Sequence, residues 1–136
     1  MGKVNLEVVT PSGSVAEAQA DIVVAPGIEG EFGVLPGHIN FLSGILPGEL
    51  RYTNDGKTEY MAVTSGFAEV SNDKVSILVD SAEMAHEIDL ERANSAMERA
   101  QGRLAKKRDD DDIDFARAEA ALQRAISRVK VAKKNM

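Results

Sequence analysis

Polar and apolar positions alternate in twos along the first half of the chain and recur every three or four residues along the second. Val4, Leu6 and Val8 share one face of residues 3–9 while Asn5 and Glu7 take the other, which predicts a half-buried strand. Pro11-Ser12-Gly13 turns the chain, and residues 20–25 form a second apolar run that stops at Pro26-Gly27. Between residues 27 and 48 a glycine or proline interrupts every few positions, so strands there must be short, bent and bulged. Asn54-Asp55-Gly56 separates residues 49–53 from 57–63, and Ser71-Asn72-Asp73 separates 67–70 from 74–79. Both triplets tolerate positive φ, so each predicts a hairpin. Residues 1–84 therefore read as an antiparallel β-sandwich of about ten short strands.

The grammar changes over residues 80–93. Asp89 is placed to cap a helix, accepting from free N–H groups of its first turn, with Glu91 near the positive end of the helix. Beyond it Leu90, Ala93, Met97, Ala100 and Leu104 follow one 3-4 seam, and Phe115, Ala118, Leu122, Ala125, Val129 and Ala132 follow another. Residues 106–112 reverse from cations to anions and are too polar to bury, which predicts an antiparallel two-helix hairpin over residues 85–136. Alanine at so many seam positions allows close approach but little burial. At about 25 cal/mol per Å² the hairpin gains modestly, and it reads as a movable element.

Composition sharpens the division. The chain has 136 residues and no cysteine, which removes disulfides and thiolate metal sites and fits a reducing compartment. No apolar run approaches the roughly 20 residues of a membrane-spanning helix, so a soluble chain is expected. The net charge of −6 is unevenly spread: residues 1–84 hold 4 Lys/Arg against 12 Asp/Glu, and residues 85–136 hold 12 against 10. From Phe115 onward 6 basic residues face only Glu119, so the last helix should seek an acidic partner or a phosphate.

Catalytic chemistry finds little support. Asp55-Gly56-Lys57-Thr58 ends like a phosphate-binding loop, but Arg51 stands where its first glycine belongs and the segment lies on a hairpin. His38 and His86 are the only imidazoles and lie in different halves, which argues against a metal site or a nucleophile–base pair. Residues 109–112 lack the spacing and central glycine of a calcium loop. The arginines carry more. Arg92 and Arg99 share a stripe on the first helix, Arg124 and Arg128 stand one turn apart on the second, and folding the hairpin would converge them. Guanidinium groups suit phosphate oxygens, while Glu83 and Asp89 suit a base amine or ribose hydroxyl. By spacing alone, a solvated helix surface with exposed ion pairs is the favoured reading.

Two segments carry a family resemblance. Glu-Gly-Glu-Phe-Gly-Val-Leu-Pro-Gly-His at residues 29–38 and Ser-Asn-Asp-Lys-Val-Ser-Ile-Leu-Val-Asp-Ser-Ala-Glu at 71–83 resemble the epsilon subunit of bacterial F-type ATP synthase. The resemblance extends over essentially the whole chain, with Ile39-Asn40 departing from the small residue and proline that usually follow Pro-Gly-His. It implies a non-catalytic rotor subunit without a catalytic cofactor. Its sandwich would grip the gamma subunit and rest on the c-ring, and its hairpin, when extended, would brake ATP hydrolysis at the alpha and beta catalytic subunits. The location implied is the cytoplasmic side of the cell inner membrane, as a peripheral component. Glu31 and His38 match loop positions that face the c-ring. Members that bind ATP as a regulatory ligand carry Ile/Leu-Asp-x-x-Arg-Ala, matched here by Ile88, Asp89, Arg92 and Ala93, and Glu83, Arg99, Arg124 and Arg128 match their other contacts. This match reverses the preference for a solvated surface. The competing class is a small sandwich whose basic last helix recognises nucleic acid; overall acidity and the lack of clustered aromatics weigh against it.

Overall fold

The computed structural model describes residues 2–106 and 112–134. Ten strands precede the helices: β1 (Val4–Thr10), β2 (Gly13–Ala20), β3 (Ile22–Gly27), β4 (Gly30–Val34), β5 (Phe41–Ile45), β6 (Gly48–Asn54), β7 (Lys57–Val63), β8 (Gly66–Ser71), β9 (Lys74–Val79) and β10 (Ala82–Met84). A single turn of 3-10 helix (Ala85–Glu87) leads into α1 (Leu90–Lys106), which α2 (Asp112–Lys133) follows. The charged turn after Lys106 and the side chain of Phe115 lie outside the described residues.

The strands run β10-β7-β6-β3-β5-β8-β9-β1-β2, with β4 on β3. β1 and β2 lie against β3 and β6 across the interior, so the sheet closes on itself as a sandwich. Both predicted hairpins form. Asp55 and Gly56 turn β6 into β7 at φ of 51° and 81°, and Asn72 and Asp73 turn β8 into β9 at 51° and 58°. Two positive φ values in succession match the right-handed twist of the flanking strands. Val4, Leu6 and Val8 point inward from β1 and meet Val23, Leu50, Met61, Val75 and Ile77 in one core. Two features correct the sequence reading. Residues 13–20 form β2, although Gly-Ser-Val-Ala-Glu-Ala-Gln-Ala has little strand propensity, because it pairs along β1. β1 pairs with β9 in parallel, the one departure from an antiparallel arrangement among the pairings of the described strands.

The hairpin docks more firmly than its seam suggests. Asp89 caps α1 as expected: its carboxylate accepts from the Arg92 amide at 3.2 Å and its carbonyl from the Ala93 amide at 2.9 Å. The seams close through Ala93, Ala100, Ala118, Ala125 and Val129. α2 has a second contact surface. Val131 is fully buried and joins Val129, Ala132, Ala93, Ile88, Ala85 and Ala62 in a separate cluster, with Tyr60 packed against it. With about 100° per residue, Ser127, Val131, Ala125 and Val129 place roughly half of the helix circumference against protein. A fully buried valine contributes about 1.5–3 kcal/mol, so α2 is held by the sandwich in addition to α1.

Candidate functional site

The 3-10 turn and the cap at Asp89 start α1 against the edge of β10, which leaves a cleft between Glu83 on β10, the outer face of α1 and the near side of α2. The cleft has two chambers. One of about 590 Å³ is lined by Glu83, Asp89, Arg92, Arg99 and Arg128, together with Ser95 and the acids Glu87 and Glu91. The adjoining one, of about 440 Å³, is lined by Arg99, Arg103, Arg124 and Arg128, with Thr64 and Ser81 from the sandwich. Glu83, Ala96, Arg99 and Arg128 line both, so the two chambers adjoin along these residues. Each lies within the size range of small-molecule sites.

Six of the predicted residues therefore come together: Glu83, Asp89, Arg92, Arg99, Arg124 and Arg128. Ile88 and Ala93 do not line the cleft; they sit in the apolar cluster that joins the helices to β7 at Ala62. Arg128 is the residue most constrained. Its guanidinium donates twice to Glu83, from Nε to Oε1 at 2.7 Å and from a terminal nitrogen to Oε2 at 3.2 Å, tying α2 to β10. Sequence reading missed Arg103, although it stands four residues after Arg99 on the same face. The Glu83–Arg128 pairing spans 45 residues and has no local signal. The first chamber mixes four carboxylates with three arginines, and the second holds four arginines with one carboxylate. Such a cleft can hold a ligand carrying amine or hydroxyl donors at one end and several anionic oxygens at the other.

Glu31 and His38 are not brought together. Glu31, on β4, receives two hydrogen bonds from Arg51 of β6, at 2.9 and 3.3 Å, and this guanidinium holds its carboxyl below the ordinary carboxylate range. Phe32, the next residue, points to the other face and packs edge-on to Phe41 at 5.1 Å; the His38 ring lies edge-on to Phe41 at 6.0 Å. The loop containing His38 is closed by its amide on the Leu35 carbonyl at 3.1 Å and pinned by the Gly37 amide on Asp73 at 2.7 Å. Gly37 turns there at a φ of 82°, a region that disfavours any side chain. Ile39-Asn40 is accommodated in this loop with Ile39 exposed.

A separate apolar surface lies on the outer face of β5, β8 and β9. Phe67 stands opposite Gly44 and Leu78, Ile28 packs over Gly44, and Ile28, Phe67 and Leu78 are 59%, 64% and 52% exposed. Exposed apolar side chains that adjoin one another are the kind of surface that a protein contact covers. Arg124 and Arg128 of α2 line the cleft, whereas Lys130, Lys133 and, just past the helix, Lys134 lie away from it. They do not make the single stripe that a nucleic-acid face requires.

Comparison with known proteins covers both halves. Family models described as ATP synthase, Delta/Epsilon chain, match residues 3–85 (beta-sandwich domain) and 86–133 (long alpha-helix domain). The chain is 53% identical to the ATP synthase epsilon chain of Nitratidesulfovibrio vulgaris (strain DP4) over 127 residues, 93% of each chain. It is 54% identical to that of Syntrophobacter fumaroxidans over 132 residues, 97% of each. The fold matches a chain in the cryo-EM structure of the Euglena gracilis mitochondrial ATP synthase, OSCP/F1/c-ring in rotational state 1, with a TM-score of 0.82 at 24% identity, covering 98% of this chain and 82% of that one.

Proposed function

The chain belongs to the ATP synthase delta/epsilon-chain family, and from that premise we propose that it is a non-catalytic central-stalk subunit whose hairpin responds to ATP. The sandwich holds the gamma subunit, for which the exposed Ile28, Phe67 and Leu78 face supplies an apolar contact, and it rests on the c-ring through the segment that contains Glu31 and His38. In the assembled enzyme it is peripheral, on the cytoplasmic side of the inner membrane. The hairpin exchanges between the docked form and an extended form that brakes hydrolysis at the alpha and beta subunits, where the basic residues of α2 meet an acidic segment.

The observation that carries this reading is the convergence of Arg92, Arg99, Arg124 and Arg128 on one cleft. Arg128 is already paired with Glu83, but Arg92, Arg99 and Arg124 have no carboxylate at ion-pair distance among the described residues, and a triphosphate neutralises them. ATP therefore binds the docked hairpin more tightly than the extended one, and only that difference in affinity shifts the population. Glu83 and Asp89 take the base or ribose, and the arginines take the phosphates. Calorimetry on the purified chain tests it. Arg92→Ala or Arg124→Ala should weaken ATP binding by about 1.5–3 kcal/mol, the scale of a hydrogen bond to a charged group, and ADP should bind less well than ATP. Absence of heat at millimolar ATP would remove the regulatory ligand from the account.

A further inference from the structure

On the side of α2 away from the arginines, its last turns and the bend between β5 and β6 enclose a groove of about 480 Å³. It shares no lining residue with the arginine cleft. Lys130, Lys133 and Lys134 line it from α2 and the residue that follows the helix, and Glu31 and Glu49 face them from the sandwich. The two carboxylates are already engaged by Arg51. Among the described residues none of the three ammonium groups reaches a carboxylate at ion-pair distance. Lys134 is steadied by the Tyr60 ring, 5.2 Å from its centroid.

Ser127 supplies an independent observation. It lines the same groove, is only 8% exposed, and its hydroxyl has no hydrogen-bond partner among the described residues. A helical serine ordinarily returns its hydroxyl to a carbonyl of the preceding turn, and a buried hydroxyl left without any partner is costly. Lysines near a helix C-terminus offset the macrodipole, but that does not account for a concavity or for an unpartnered hydroxyl at the same place.

We propose that this groove binds a single phosphate group, with the lysines as point charges and the buried Ser127 hydroxyl turning about its Cα–Cβ bond to donate. Arg51 engages Glu31 and Glu49 on the facing wall, which offsets their repulsion of the phosphate. Bound there, the phosphate joins α2 to the β5–β6 bend and steadies the docked hairpin independently of the arginine cleft. The phosphate is either free in solution or the headgroup of an anionic lipid.

The test is a titration of the full-length chain with inorganic phosphate, followed by backbone amide shifts at constant ionic strength and matched against chloride. It is run in an Arg99→Ala/Arg124→Ala background, which weakens phosphate binding in the arginine cleft, and shifts at the groove are fitted separately from those at Arg92, Arg103 and Arg128. Saturable shifts at Gly48, Ser127, Lys130 and Lys133 are expected. Lys130→Ala/Lys133→Ala should weaken them by roughly tenfold or more, and Ser127→Ala should weaken them severalfold without lowering the melting temperature. Cosedimentation with phosphatidylglycerol vesicles that depends on the same lysines identifies a headgroup as the source, and its absence alongside saturable phosphate binding identifies the free ion. A response indistinguishable from chloride, or one unchanged by the lysine and serine substitutions, overturns the proposal.

Discussion

Breaking the Glu83–Arg128 pair should release α2 from the sandwich while leaving the sandwich folded. Its two hydrogen bonds of 2.7 and 3.2 Å join side chains that are 35% and 32% exposed. Fully exposed pairs contribute about 0.2–1 kcal/mol, and removing one partner of a buried pair costs about 3–5. An intermediate burial places the coupling at about 1–2 kcal/mol, which raises the undocked fraction of α2 roughly 5–30-fold. The assay is a double-mutant cycle on Glu83→Gln and Arg128→Ala, read by native-state hydrogen exchange. Amides of residues 124–132 should exchange faster in each single variant, and those of β1, β8 and β9 should not. The double variant should fall short of the sum of the singles by the coupling energy. Additivity within about 0.5 kcal/mol, or equal acceleration in sandwich and hairpin, would refute the pair as the tie between them.

Truncation after Met84 should leave a fragment with dispersed amide signals and a cooperative melt, because the sandwich core closes without a residue from either helix; collapse of the dispersion would count against an independent sandwich. Gly66→Ala should cost roughly 3 kcal/mol or more, since a Cβ there overlaps the Leu78 backbone carbonyl in the neighbouring strand; a melting temperature within about 2 °C of the parent would contradict this. Lys3, which pairs with Asp21 and Asp55, holds the Asp21 carboxyl below its ordinary value. The stabilisation is present above the unfolded pKa of Asp21 and is lost as pH falls through the folded one, so the stability gap between parent and Lys3→Ala should narrow as pH falls below the ordinary aspartate range. A gap that stays constant in acid would show that the pair contributes nothing through charge.

What could be read from the chain was whatever its local period encodes. Alternation in β1 and the Asp55-Gly56 and Asn72-Asp73 turns specify strands and hairpins directly, because each residue's conformational preference agrees with its place. β2 escaped because its alanines, glutamate and glutamine take strand geometry from their partner rather than from propensity. The parallel β1–β9 pairing escaped because a period of two is the same in either direction. One 3-4 seam was legible in α2, but Ser127 and Val131 belong to a second face whose partner, around Tyr60 and Ala62, lies far away in sequence. The arginine cleft was legible in part: helical spacing put Arg92 with Arg99 and Arg124 with Arg128. Neither the tie from Arg128 to Glu83 nor the pairing of Glu31 with Arg51 has a local pattern.

The central claim is that ATP, read by the arginine cleft, favours the docked hairpin, and a distance measurement in the assembled enzyme tests it most directly. The chain contains no cysteine, so Ser12→Cys at the β1–β2 turn and Glu119→Cys on the exposed side of α2 accept a dye pair without further changes. In complexes reconstituted with the gamma, alpha and beta subunits, raising ATP from micromolar to millimolar should increase the population with the docked separation. ADP should do so less, and Arg92→Ala/Arg99→Ala should abolish the shift. A distance distribution that ignores ATP, or a shift that survives the double arginine substitution, would contradict the account.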